Sequence, residues 1–258
     1  MILFSLSEIA LIGLIMSVGG VVQGAVGFGS GLLGVPLLVL CGFSLPEAAT
    51  INLVSMGALN ATGAWQLWSH LKPSELVLPV AVRALAIPCG TYAAHLADFH
   101  FDPAQAKQAL GVIFAVTVIL LWSLRLPPRD HMAVVWQLLI FSCSGFLMGF
   151  AAISGATLVI YVNSLTWSAS KSRAFLFFTS AVALPVAALA FWIHHGEKIL
   201  PAAMAALFVM PLILGSLWLG LYLGHQIAKP LFRRITYVLV LLVACAAIVG
   251  PLLGGASK

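Results

Sequence analysis

The sequence predicts an all-α polytopic membrane protein built from two repeats of four to five transmembrane segments each, eight to ten in total, with interrupted helices near the midplane. Three observations predict it. The 258 residues are 62% hydrophobic and only 7% charged, with a mean hydropathy of +1.12, whereas soluble domains run nearer a quarter charged. The apolar residues fall in successive blocks close to the roughly 20 helical residues that cross a bilayer core. One of these blocks runs into Gln23-Gly24-Ala25-Val26-Gly27-Phe28-Gly29-Ser30-Gly31-Leu32-Leu33-Gly34-Val35-Pro36, five glycines and a proline in an apolar background.

The first span is read at 7–26. It starts around Glu8 rather than after a basic stretch and leads into the glycines without a convincing cleavage site, so it reads as a span and not a signal peptide. Glycine costs about 1 kcal/mol against alanine inside a helix and proline removes a backbone hydrogen bond. Their clustering therefore predicts a broken helix. Non-helical backbone is tolerated at membrane depth only where protein buries it or a watery cavity receives it. Further spans follow at 46–68, 76–96, 104–124, 132–152, 171–193, 200–224 and 233–253, while 28–43 and 154–168 are apolar but short. No block is long enough and polar enough to form a soluble domain, so function has to sit within or between the spans.

The order of elements repeats. Gly20-Val-Val-Gln-Gly24 returns as Gly145-Phe-Leu-Met-Gly149, a step of 125 residues, and the same step carries the span beginning at 46 onto the one at 171 and Gly90 onto Gly215. This divides the chain into a first transmembrane repeat, 1–125, and a second, 126–258, within one integral membrane domain. Paired halves are a common transporter design. If the short pieces re-enter, each half crosses four times and the halves are parallel; if they cross, each half crosses five times and the halves are inverted. Lysine and arginine collect on the cytoplasmic side. With Arg83 set aside inside a span, the five-plus-five arrangement gathers Lys72, Arg125, Arg129, Lys171, Arg173, Lys229, Arg233 and Arg234 on one side against Lys107, Lys198 and Lys258, whereas four-plus-four leaves no bias. The charges favour inverted halves with both termini outside the cytoplasm.

The formal charge of +5 is spread singly or in pairs at span ends, which is a topology signal and predicts no nucleic-acid partner. Cys41, Cys89, Cys143 and Cys245 lie in apolar segments without CxxC spacing and read as packing residues, with neither a disulfide framework nor a zinc site indicated. The Asp98 to Asp102 loop has metal-ligating letters but no supporting cluster, so no metal and no cofactor are expected. His70, His95, His194, His195 and His225 sit near span ends and read as interfacial. No catalytic motif or paired intramembrane carboxylate is present, so an enzyme is not expected.

Candidate substrate-binding residues come from the break and its surroundings. A helix restarting near Gly29 or Ser30 directs free N–H groups and the positive end of its dipole inward, an arrangement suited to anions. The first-half set is Gly24, Gly27, Gly29, Ser30, Gly31, Gly34 and Pro36; the second-half counterpart is Ser154, Gly155 and Thr157. Asn52, Ser55 and Asn60 fall close to one helical face, and the repeat step sends Ser55 to Ser180, beside Thr179. Helix packing is the competing account for these, and it is the better one for Gly20-xxx-Gly24 and Gly220-xxx-Gly224. Ser44 and Glu47 have capping-box spacing, which makes Glu47 a cap. Arg83 completes the candidates: a charge inside a span costs at least about 2.5 to 3.5 kcal/mol and marks function by default, although its side chain could instead reach the headgroups.

At Gly20-xxx-Gly24-xx-Gly27-x-Gly29-Ser30-Gly31, Val35-Pro36-Leu37-Leu38 and Pro46-Glu47-Ala48-Ala49-Thr50, with a weaker copy from Gly145, the chain resembles the sulfite exporter TauE/SafE family. The resemblance covers essentially the whole chain and implies a multi-pass protein of a prokaryotic inner membrane that handles sulfur-containing anions such as sulfite and organosulfonates. The second half departs from the pattern: Ala152, Ser154, Gly155 and Ala156 replace the glycine-rich copy and Tyr161 stands in place of Pro36. A lopsided site is the consequence. The expectation is a secondary transporter or exporter of a small anion, with the lipid bilayer and the anion as partners and alternating access around the broken helices. An anion channel and a membrane-embedded accessory subunit remain as alternatives, and a homo-oligomer is compatible with the sequence without being indicated by it.

Overall fold

A computed structural model describes residues 4–100, 129–153 and 155–226, with single positions between 105 and 119 and at 238, 241 and 245. The expected spans at 104–124 and 233–253 lie almost wholly outside the described residues. Among those residues the regular elements are helices: α1 (Leu6–Val26), α2 (Ser30–Leu40), α3 (Leu45–Leu67), α4 (Val77–His100), α5 (Val134–Ala151), α6 (Gly155–Asn163), α7 (Ala169–His195), α8 (Leu200–Phe208) and α9 (Met210–Gln226). Four stretches are long and apolar enough to cross a membrane: Leu6–Ala25, Pro73–Ala97, Val134–Ala151 and Ser170–Phe208. α3 matches them in length but carries Thr50, Asn52, Ser55 and Asn60, all buried within the protein.

Local chemistry starts and stops these helices. Ser5 with Glu8 and Ser44 with Glu47 form capping boxes at α1 and α3, and Ser168 caps α7, each satisfying N–H groups that a first turn leaves unpaired. Met210-Pro211 interrupts the expected span 200–224. Proline has no N–H to donate to the preceding turn, and α8 ends at Phe208 with α9 beginning at Met210. Pro36, Pro88 and Pro185 are accommodated inside helices. The four cysteines are exposed rather than packed. Their small apolar side chains lie on outward faces, which in an apolar segment satisfies the same hydrophobic pattern as burial does.

The chain reverses twice in mid-bundle. Gly19 lies against Ser30, Met16 against Gly34 and the Phe4 ring 5.5 Å from Phe43, so α2 folds back antiparallel along α1. α6 does the same along α5: Phe141 is 4.9 Å from Tyr161, and Arg129 bridges to Leu165 through hydrogen bonds with Ser164 and Thr166. Helix directions follow from which residues face each other. Gly13 meets Val209 and Leu212, Gly20 meets Ser216 and Gly24 meets Leu217 and Leu221; α1 and α9 therefore run parallel. Arg83 and Ala86 face Gly145 while Ile87 and Thr91 face Gly149, so α4 and α5 also run parallel. α3 and α7 are antiparallel, with Gly57 against Leu184, Gly63 against Phe177 and Trp68 5.4 Å from Phe178.

The glycines at the two parallel crossings have a packing role. A Cβ at Gly24 would lie 2.5 Å from the Leu217 carbonyl oxygen, and one at Gly145 would lie 2.6 Å from that of Arg83. Backbone meets backbone there, the close approach that small residues permit between membrane helices.

Candidate functional site

The first reversal is built by left-handed backbone. Gly27 (φ 90°) ends α1, its N–H donating to the Gln23 carbonyl, and Gly29 (φ 116°) precedes α2. These φ values are accessible to glycine and strained for other residues. No side chain caps α2, so its first N–H groups point into the protein with the positive end of the helix dipole behind them. A buried polar relay stands beside this end: the Ser30 hydroxyl donates to Gln23 Oε1, and Gln23 Nε2 donates to Asn60 Oδ1 at 2.7 Å.

The second reversal uses Ala152 at φ 56°. Its N–H donates to the Met148 carbonyl and that of Ile153 to Leu147, which closes the end of α5 as a left-handed cap would. Asn52 Nδ2 reaches across from α3 to donate to the Ala152 carbonyl at 2.8 Å. The two reversals meet: a Cβ on Gly155 would lie 2.9 Å from Phe28 Cβ, and one on Gly31 would lie 2.7 Å from Asn52 Nδ2 and 3.3 Å from the Ala152 carbonyl oxygen. Between them lies a narrow cavity lined by Gln23, Gly27, Phe28, Gly29, Gly31, Asn60, Gly155 and Ser180, with apolar neighbours. At about 10 Å³ it has room for roughly one water.

Two arginines stand near the reversals, neither of them lining the cavity. Arg83 on α4 is fully buried. Its Nη2 donates to Met148 Sδ at 3.3 Å, a weak acceptor, while Nε and Nη1 have no hydrogen-bond partner among the described residues. Among the described residues the one ion pair joins Lys171 to Glu75 at 2.6 Å, and Arg83 has no acidic neighbour of that kind. Arg173 on α7 lays its stem over the first reversal, with Cγ 2.9 Å from where a Gly27 Cβ would stand, and its Nε is likewise unpartnered. Asn52 Oδ1 and Thr157 Oγ1 are further buried atoms without partners. Buried polar groups are ordinarily satisfied, so these atoms are an unfilled demand for hydrogen bonds, as are those of Ser17, Thr50 and His195 elsewhere.

A family model described as sulfite exporter TauE/SafE matches residues 11–247. The chain belongs to the sulfite exporter TauE/SafE family. This is a transporter family of multi-pass membrane proteins, in accord with the apolar helices. No curated protein and no solved structure matched the chain.

Of the residues expected to bind substrate, this TauE/SafE protein brings Gly27, Gly29, Gly31, Asn60, Gly155 and Ser180 to one cavity. Ser30 joins them through Gln23, and Asn52 through the Ala152 carbonyl. Thr157 sits in the first turn of α6. Arg83 does not reach the headgroups; it is enclosed beside Met148, one turn before Ala152. Ser55 and Thr179 are buried but bond back to the Ile51 and Phe175 carbonyls of their own helices, and neither lines the cavity. Gly24 packs on α9, Gly34 packs on Met16, and Pro36 lies within α2 beyond the reversal. Ser154 lies outside the described residues. Gln23 and Arg173 were not among the expected site residues. A lone glutamine in an otherwise apolar span signals the first; the second is indistinguishable by sequence from a charge that marks the membrane face.

Proposed function

We propose that this TauE/SafE protein is a secondary transporter that exports a small sulfur-containing anion, sulfite or an organosulfonate, across the inner membrane of a prokaryote. The observation that carries the proposal is Arg83: a cation enclosed in protein with two N–H-bearing nitrogens unpaired and no acidic partner among the described residues. An unpaired buried charge costs several kcal/mol, and a passing oxyanion is the group that would relieve it. The unpartnered Arg173 Nε and Asn52 Oδ1, together with the uncapped start of α2, extend the same polar region.

Alternating access rests on the inverted relation of two halves, 1–125 and 126–258. Several features support that relation. The left-handed residues Gly27 and Ala152 are 125 positions apart. Under this step α1 corresponds to α5 and α4 to α8 and α9 taken together, and the parallel contacts are α1 with α9 and α5 with α4, so each half's first helix packs on the other half's counterpart of α4. α3 and α7, which also correspond, run antiparallel. Lys72, Arg129 and Lys171 fall at one end of the bundle, where Lys171 reaches Glu75, and that end is assigned to the cytoplasm. A cavity closed to all but about one water favours a carrier over an open pore.

No coupling carboxylate is required. Glu8, Glu47 and Glu75 stand at helix starts, and with a negative cytoplasm each anionic charge leaving gains about 2.3 kcal/mol per 100 mV. Sulfite efflux from proteoliposomes under an imposed potassium diffusion potential tests this. Saturable efflux, faster when the cytoplasmic side is negative, is expected; saturable efflux indifferent to potential would contradict potential-driven export.

A further inference from the structure

The end of the bundle opposite Lys72 and Lys171 holds a second, wider cavity of about 450 Å³, bordered by Glu47 at the start of α3, His95 on α4, His194 and His195 at the end of α7, and Lys198 and Ile199 just beyond. The imidazoles are in mutual contact: the His95 ring is 5.6 Å from His194 and 6.0 Å from His195. Among the described residues no group of three His, Cys, Asp or Glu is placed to hold a metal ion, so the cluster needs another account.

Its hydrogen bonds constrain what it can bind. His194 Nδ1 lies 2.8 Å from the Ala190 carbonyl oxygen. A carbonyl only accepts, so Nδ1 carries the proton, and Nε2 of the neutral ring is left as an acceptor. His195 Nε2 is buried without a hydrogen-bond partner. The Glu47 carboxylate is engaged by the Ser44 N–H and hydroxyl through Oε2 at 2.8 and 2.7 Å. The remaining groups on the packed elements are Tyr92 on α4, whose ring is 6.2 Å from His194, and Glu197 and Lys198 in the turn after α7. With neutral imidazoles the formal charges of Glu47 and Lys198 cancel, Glu197 beside them leaves one net negative charge, and the His194 lone pair repels an anion, so the mouth holds no anion until the cluster is protonated. Each proton taken up adds a positive charge and turns a ring nitrogen from acceptor to donor.

We propose that this mouth is a second anion site, taking a small oxyanion of the sulfonate or sulfate type together with a proton on the histidine cluster. The inference rests on the anion-transport reading of the central region. A bound anion offsets the repulsion between neighbouring imidazolium groups and Lys198, and the protons in turn create the donors that hold the anion, so the two ligands bind with reciprocal coupling. The cavity is suitably placed. Ile199 belongs to the same buried cluster as Met148 and Ala152, the residues next to Arg83 and at the second reversal. Acid on the outer face then retains the anion at the mouth, and neutral solution releases it.

Binding of methanesulfonate to the purified full-length protein tests the proposal, because that anion keeps one charge across the range used. Titration calorimetry in buffers of different ionisation enthalpy, at about pH 5.5 and about pH 7.5, reads both affinity and proton uptake. The expected result is a component about tenfold tighter at the lower pH, with about one proton taken up per anion. The double variant His194→Gln with His195→Gln should lose that component and its proton uptake; Lys198→Gln, an exposed position, should weaken it without disturbing the fold. Acid-dependent binding and proton uptake unchanged in both variants would overturn the proposal while leaving the central anion site standing. Absence of any methanesulfonate or sulfite binding by the wild-type protein at either pH would remove the transport reading together with this inference.

Discussion

Replacing Gly149 and Gly215 by alanine should change stability in opposite directions, although both glycines lie within membrane helices. A Cβ on Gly149 would overlap the Ile87 carbonyl oxygen and lie 2.8 Å from the Thr91 nitrogen, whereas one on Gly215 would meet nothing within 4 Å among the described residues. The obstacle at Gly149 is backbone on a packed helix, so no rotamer change relieves it. α4 and α5 must separate by about 1 Å, and a gap of that size forfeits roughly half of the dispersion between the facing atoms. Overpacking of this kind costs about 1–3 kcal/mol. Taking the upper end, because both partners are main chain, and subtracting up to about 1 kcal/mol for the better helix propensity of alanine leaves a net loss near 2 kcal/mol. At Gly215 the propensity gain stands alone, about 0.5–1 kcal/mol. Thermal unfolding in detergent reads both, at about 2–4 °C per kcal/mol for a chain of this size: about 4–8 °C down for Gly149→Ala and about 1–4 °C up for Gly215→Ala. Equal shifts for the two variants, or a Gly149→Ala protein as stable as the wild type, would refute the close α4–α5 crossing that places Arg83.

The second reversal and the polar relay give further expectations. Ala152 holds φ 56°, so Ala152→Gly should be tolerated with an unchanged or higher Tm, while Ala152→Val, β-branched in a left-handed conformation, should lower it by the equivalent of about 1–2 kcal/mol. Gln23→Leu leaves Asn60 Oδ1 and the Ser30 hydroxyl without their partner; a loss of about 1–3 kcal/mol in unfolding free energy is expected, with sulfite efflux reduced more than in Ser55→Ala, whose hydroxyl bonds within its own helix.

Much of this arrangement is legible in the sequence because the signals are local. Glycines crowded between Gln23 and Pro36 announce the first reversal, Ser44-xx-Glu47 announces the start of α3, and an arginine in an apolar span announces a buried charge. The second reversal is harder to read. Alanine at 152 has no compositional mark, and its left-handed backbone is held by contacts from elsewhere, Asn52 reaching its carbonyl and the start of α6 pressing on Phe28. Prolines are ambiguous in the same way: Pro211 coincides with the division of α8 from α9, while Pro36, Pro88 and Pro185 stay inside helices where neighbours compensate. Arg173 has the sequence context of a membrane-face charge, and only the meeting of α7 with the Gly27 turn brings its stem to the site.

The most direct test of an oxyanion site around Arg83 compares wild-type, Arg83→Met and Arg83→Lys proteins in one measurement, thermal stability with and without sulfite. A charge kept buried without a partner is expected to cost stability, about 2.5 to 3.5 kcal/mol on insertion scales, so Arg83→Met should melt above the wild type in the absence of ligand. Sulfite at about 100 times its Kd should stabilise the wild type by about 2.7 kcal/mol, stabilise Arg83→Lys less, and leave Arg83→Met unmoved. An Arg83→Met protein that melts lower than the wild type and still gains the full sulfite shift would contradict the assignment of Arg83 as the counter-charge of the transported anion.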